Sequence, residues 1–218
     1  MRQNDTVITL QIKRIMSKKL THLVLTLAIS FPLLAYAGGE ALFGLTFGMS
    51  AAQVKTVVPS LKMEKNHSSY ISYSAKKMPK NLLDAEMYVL DFSEDKLLAI
   101  TSFSHSVTND THGTLGKKRF SDLRSSLIQK YGKPKNEMQM ARMKVYKEVD
   151  EFYECLAYDG CGLWISSFQT EGKAIVIQLK GLGRGSGWIE TSVESFPEWR
   201  DVIHKSNENN NINDKKAL

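Results

Sequence analysis

The chain has 218 residues, is 42% hydrophobic and 24% charged, carries a formal net charge of +6 and contains two cysteines. The positive charge is concentrated at one end: residues 1–37 hold Arg2, Lys13, Arg14, Lys18 and Lys19 against Asp5 alone, so residues 38–218 have 24 basic and 22 acidic side chains, a net +2. So even a balance argues against nucleic acid as the partner, and the Lys76-Lys77 and Lys117-Lys118 pairs read as solvated faces rather than phosphate tracks.

The first element is an export signal. Lys18 and Lys19 form a positive n-region, residues 23–35 are an apolar core, and Ala35-Tyr36-Ala37 supplies the small residues a signal peptidase admits, which predicts cleavage between Ala37 and Gly38. The apolar run is shorter than the roughly 20 residues that span a bilayer, and no later segment approaches that length. An uncleaved anchor is the alternative. Because residues 16–37 form an ordinary signal peptide on their own, Met16 is an alternative start. No cysteine stands near the cleavage position, which argues against a lipid anchor. The expected location is the periplasm, with secretion as the alternative.

In chain order, residues 42–47 read as a strand that feeds through Gly48 into a short helix. Ser50 and Gln53 have the spacing of a capping box, Met49 and Val54 stand at staple positions, Val54, Val57 and Val58 make one apolar stripe, and Pro59 opposes continuation. Residues 70–74 form a weaker strand. Residues 85–92 and 96–103 read as a hairpin about Ser93-Glu94-Asp95. A second helix begins near Lys117, with Phe120, Leu123, Leu127, Ile128 and Tyr131 on one face, Gly132 at its C-terminal end and Pro134 beyond.

Next, Met143, Val145, Val149, Tyr153 and Cys155 alternate as in a long strand. Cys155 and Cys161 enclose five residues, which in an oxidising compartment predicts a disulfide. A hairpin centred on Tyr158 places them face to face; an Asp159-Gly160 turn instead sets Cys155 opposite Trp164. Residues 162–168 and 173–180 form a further hairpin, whose apolar run 174–179 suits a central strand. Residues 188–193 close the sheet. Ser195 and Glu198 form another capping box, with Phe196, Trp199, Val202 and Ile203 on the apolar side of a final helix. Residues 205–218 are too polar to repay ordering and read as a disordered tail. The fold class expected is α+β, an antiparallel sheet covered by helices, in two related helix-plus-strands units at 38–116 and 117–204. Whether these make one sheet or two domains is open at this level.

Few groups point to chemistry. His105, Asp110 and His112 surround a polar loop without established metal-ligand spacing. Glu148, Asp150, Glu151 and Glu154 form an acidic cluster that reads as the wet face of an edge strand. Residues 181–187, GLGRGSG, resemble a phosphate loop in composition, but a strand rather than a helix comes after them, so they read as a mobile connection. The cysteines lack C-x-x-C spacing and a thioredoxin-like context, and no nucleophile or zinc motif is present. No cofactor or metal is called for.

The phrases FGLTFGMSAAQV, YVLDFSEDKLLAITSF and LIQKYGKP resemble those of small exported bacterial proteins with a helix-plus-antiparallel-sheet unit. Such a unit occurs in the small lipoprotein of the outer-membrane β-barrel assembly machine and, in tandem, in the β-lactamase inhibitor protein. The resemblance covers about half of the mature chain. It implies a periplasmic binding module without catalysis; the lipoprotein's anchoring cysteine is absent here, and no inhibitor contact residue matches position by position. The expected function is therefore binding of another envelope or exported protein, as an inhibitor, immunity factor or assembly factor, with Tyr158, Trp164, Arg184 and Trp188 as candidate contacts. The competing reading is an envelope enzyme using His105 and the acidic cluster.

Overall fold

A computed structural model describes residues 39–143 and 145–217, with the backbone alone for 210–217. The expected signal sequence at 1–37 and the cleavage position after Ala37 lie outside the described residues. In order, the elements are α1 (Ala51–Val57), β1 (Lys62–Asn66), β2 (Ile71–Ala75), β3 (Ala85–Ser93), β4 (Lys96–Ser104), α2 (Thr114–Tyr131), β5 (Asn136–Met140), a 3-10 turn (Val149–Glu151), α3 (Phe152–Ala157), β6 (Leu163–Thr170), β7 (Lys173–Gly183), β8 (Ser186–Ser195) and α4 (Glu198–Ala217). The class is α+β. All eight strands form a single antiparallel sheet in the order β1-β2-β3-β4-β8-β7-β6-β5.

That order answers the question of one sheet or two domains. Each half is a helix followed by a four-stranded meander, and the halves join through their last strands, β4 and β8, paired antiparallel with Ile100 opposite Val193. The strand order is thus symmetric about the β4–β8 pair, with α3 inserted in the second half only. Residues 188–193, expected to close the sheet at its edge, instead sit at its centre. The edges are β1 and β5, whose residues are all exposed. An edge strand without a buried face has no apolar alternation, and neither was legible in the sequence.

Alternate residues send one face of the sheet into the core. Tyr88, Leu90, Ile100, Val193, Ile175, Ile177, Leu179 and Phe168 point into a single buried cluster with Phe120 and Leu127 of α2 and Tyr153 of α3. Each such side chain contributes roughly 2 kcal/mol by leaving water. The cap of α1 is as expected: Gln53 N–H donates to Ser50 Oγ at 3.2 Å, and Ser50 N–H to Gln53 Oε1 at 2.8 Å. Val54 and Val58 are buried, but Val57 is 49% exposed, so the stripe is narrower than the spacing implied. The β3–β4 hairpin closes on Glu94-Asp95, both at positive φ, with Ser93 opposite Lys96. This is the primed turn geometry that matches strand twist.

Three further expectations are corrected. Residues 42–47 are successive turns rather than a strand; Phe43 and Gly44 have φ of 65° and 81°, although Phe43, Leu45 and Phe47 are buried as their alternation implied. The long strand through Met143 and Cys155 is instead a loop, the 3-10 turn and α3. Met143, Val145 and Val149 are exposed there, whereas Phe152, Tyr153 and Leu156 follow helical spacing onto the core. The acidic residues that looked like a wet strand edge belong to this helix start: Glu148 and Glu151 form a capping box, and acids are favoured at a helix N-terminus. Finally, the helix α4 extends to Ala217, through the stretch expected to be a disordered tail. Buried Ser206, its Oγ 3.2 Å from that of Ser68, anchors its middle.

Cys155 and Cys161 are bonded, with Cα atoms 5.1 Å apart, but not across a hairpin. Cys155 lies in α3, Tyr158 caps that helix, and the bond ties the helix end to the turn before β6. The closed loop is short, so replacing both buried cysteines by alanine is expected to cost only about 2–3 kcal/mol. Urea unfolding of the double variant checks this; a loss above about 4 kcal/mol would mean that the bond holds α3 on the sheet.

Candidate functional site

The helices α2 and α3 pack on β6, β7 and β8 from the core side. The opposite face of the sheet is laid out by register. One row runs across six strands: Met87, Phe103, Glu190, Gln178, Ile165 and Met138, each directly opposite the next. A parallel row holds Val89, Thr101, Ser192, Val176, Ser167 and Asn136. Trp188, opposite Lys180, stands beside the first row, and Met140, opposite Leu163, stands beside Met138. None of these side chains is buried, and Met138 and Met140 are 41% and 47% exposed. The rows therefore present aromatic and aliphatic groups on both flanks of a polar centre formed by Glu190 and Gln178.

One end of this face is closed. There, Asp91, Ala99, Glu194 and Ala174 form the next row, and Arg200 of α4 lies 3.6 Å from Glu194. Asp91, Ala99 and Ala174 are buried, and Trp199 of α4 packs edge-on against Tyr70 at 5.1 Å. Burial pushes both carboxyls upward; the hydrogen bond from Ser72 opposes this at Asp91, and Arg200 opposes it at Glu194. The helix thus marks where the open surface ends.

The four candidate contacts separate. Trp188 belongs to the open face, and its Nε1–H is buried without an acceptor. Trp164 faces the other way, opposite Leu179, and packs edge-on against Phe152 with ring centroids 5.3 Å apart. Arg184 sits at the β7–β8 turn and pairs with Asp150. Tyr158 is 51% exposed at the end of α3, beside Tyr146 at 5.9 Å. The Met87-to-Met138 row is not legible in the sequence, because its polar centre and its edge strand break the alternation that would reveal it.

No family model, curated protein or solved structure matches the chain. Its function is therefore argued from its own geometry.

The other candidate chemistries dissolve into structural roles. Asp110 Oδ2 accepts the Gly116 N–H at 3.0 Å and the Tyr153 hydroxyl at 2.9 Å, so it caps α2. Burial raises its pKa, but the N–H groups of Gly116, Leu115 and Thr114 and the Tyr153 hydroxyl outweigh this and hold it below the usual carboxylate range. His105 lies 3.8 Å from Glu86 on the surface, and no group of three metal-ligating residues occurs among the described residues. The glycine-rich stretch is not a mobile connection: it is the end of one strand, a tight turn and the start of the next. A Cβ on Gly181 would stand 1.8 Å from the Tyr153 carbonyl oxygen, and one on Gly187 2.3 Å from the Lys180 oxygen and 2.4 Å from the Tyr153 ring. With Gly116, where a Cβ would meet the Tyr153 hydroxyl at 2.1 Å, these glycines form the socket in which α3 sits.

Proposed function

We propose that the protein is a non-catalytic, periplasmic protein-binding module and that the open sheet face is its docking surface. The observation that carries this reading is the row from Met87 to Met138, with Trp188 at its side, on a face that the core does not use. Solvent-facing aromatic and aliphatic groups around a polar centre, outside the core, are the composition of an interaction site. The polar centre indicates the partner's chemistry: an exported polypeptide that offers a basic or donor side chain to Glu190 and Gln178, flanked by apolar groups. The resemblance to exported helix-plus-sheet proteins and the disulfide support the location. Against an enzyme, the histidine and acidic groups available for catalysis are dispersed or engaged in caps and ion pairs.

The test is affinity capture from a native envelope extract using residues 38–218, followed by titration of the purified partner. One stoichiometric protein is expected, and Trp188→Ala should weaken it by at least about 30-fold, as loss of an aromatic anchor does. Arg184→Ala, at the hairpin tip, should change affinity by less than about threefold. Equal binding by wild type and Trp188→Ala would move the site off this face.

A further inference from the structure

A second site lies on the other side of the sheet, in a cleft of about 340 Å³ between the start of α2, the end of β5 and α3. Lys117 and Arg142 line it together with the aromatic walls Phe152 and Trp164, with Gln139 beside them. Lys117 is half-buried, its ammonium 3.9 Å from the centre of the Phe152 ring and donating to the His112 carbonyl oxygen at 2.9 Å.

The electrostatics of this cleft are unbalanced. Among the described residues neither Lys117 nor Arg142 forms an ion pair. Asp110, the carboxylate that acts on Lys117, is already engaged by Gly116 and Tyr153. Lys117 also stands in the first turn of α2, where the helix field disfavours a cation. Desolvation and the neighbouring Arg142 both push its pKa down. The walls are independent of this charge balance: Phe152 and Trp164 meet edge-on with ring centroids 5.3 Å apart, and the Lys117 ammonium lies 3.9 Å and 5.5 Å from their ring centres. Two uncompensated cations over an aromatic wall lack a partner that carries negative charge.

We propose that this cleft binds a carboxylate carried on an apolar stem, the anion lying between Lys117 and Arg142 and the stem against the Phe152 and Trp164 rings. The volume suits a small molecule. The geometry favours a carboxylate over a bare inorganic anion because the apolar walls would otherwise stay wet. The site is separate from the open sheet face, so its test does not depend on the docking reading.

The experiment is a titration of ¹⁵N-labelled protein with phenylacetate, following the three tryptophan indole N–H signals. Trp164→Phe assigns the reporter. The expected result is a saturable shift of the Trp164 signal, whose ring forms a wall of the cleft, with half-saturation in the millimolar range or below. Phenylacetamide, neutral and isosteric, and inorganic phosphate, charged but without a stem, should bind at least about tenfold more weakly. Arg142→Gln, at the exposed rim, should raise the half-saturation at least about tenfold with the remaining spectrum unchanged. Lys117→Met should do the same. No saturable shift up to about 20 mM, equal binding of the amide, or preference for phosphate would each overturn the proposal.

Discussion

Gly181→Ala is expected to destabilise the protein by roughly 3–5 kcal/mol, the largest effect of any single methyl group in this fold. The added carbon would lie 1.8 Å from the Tyr153 carbonyl oxygen and 2.7 Å from the Ala157 nitrogen. Both are backbone atoms of α3, so no side-chain rotation relieves the overlap; the helix must lift from β7. Lifting it withdraws Tyr153, which is fully buried, from the core and from Asp110. Gly183→Ala, two residues along the same strand, is the control. Nothing lies within 4 Å of its Cβ position, so its cost should stay below about 1 kcal/mol. Urea unfolding of the two variants compares them directly. Equal stabilities would show that α3 does not seat against the glycines.

Removing the carboxylate of Asp110 is the second large effect, about 3 kcal/mol for Asp110→Ala at neutral pH. The loss combines a helix cap with a buried Tyr153 hydroxyl left without its acceptor. Its pH dependence has a fixed sign. The folded-state pKa lies below the unfolded value, so the stabilisation is fully present above about pH 4 and is lost as the pH falls through the folded value. Asp110→Asn, which keeps the size and removes the charge, should therefore fall behind the wild type above the unfolded value of about 4 and approach it only as the pH falls through the lowered folded-state value. A constant difference across that range, measured by urea titration, would mean that the carboxylate acts only through its shape. Tyr153→Phe separates the two partners: it should remove part of the effect while leaving the cap on Gly116 intact.

Both predictions concern a joint that the chain conceals. The residues 181–187 have the composition of a phosphate loop, and their glycines instead answer to a helix that arrives from residues 152–157. Asp110 stands among histidines and has the look of a metal ligand, yet its oxygens serve α2 and Tyr153, 43 residues away. In each case the residue type was visible and its partner was not, because close approach between distant segments leaves no periodic trace in a sequence. The segment around Met143, Val145 and Val149 misled in the opposite direction: these apolar side chains alternate like a strand's, but they are exposed and pair with no strand among the described residues.

By itself the sequence determined what depends on neighbours along the chain. The capped start of α1, the apolar face and glycine stop of α2, the two central hairpins with their short turns and the α+β class all follow from spacing, φ preferences and local hydrogen bonds. It also pointed to the bond between the two cysteines, a close pair with no other thiol to choose. The tertiary structure alone decided that the two halves share one sheet through β4 and β8. It also placed Trp188 on the open face and Trp164 on the covered one, and brought Lys117 and Arg142 into one cleft. Those outcomes depend on register between strands far apart in sequence: a shift of one residue would exchange the faces of every side chain, and only the packing of the whole core selects the register.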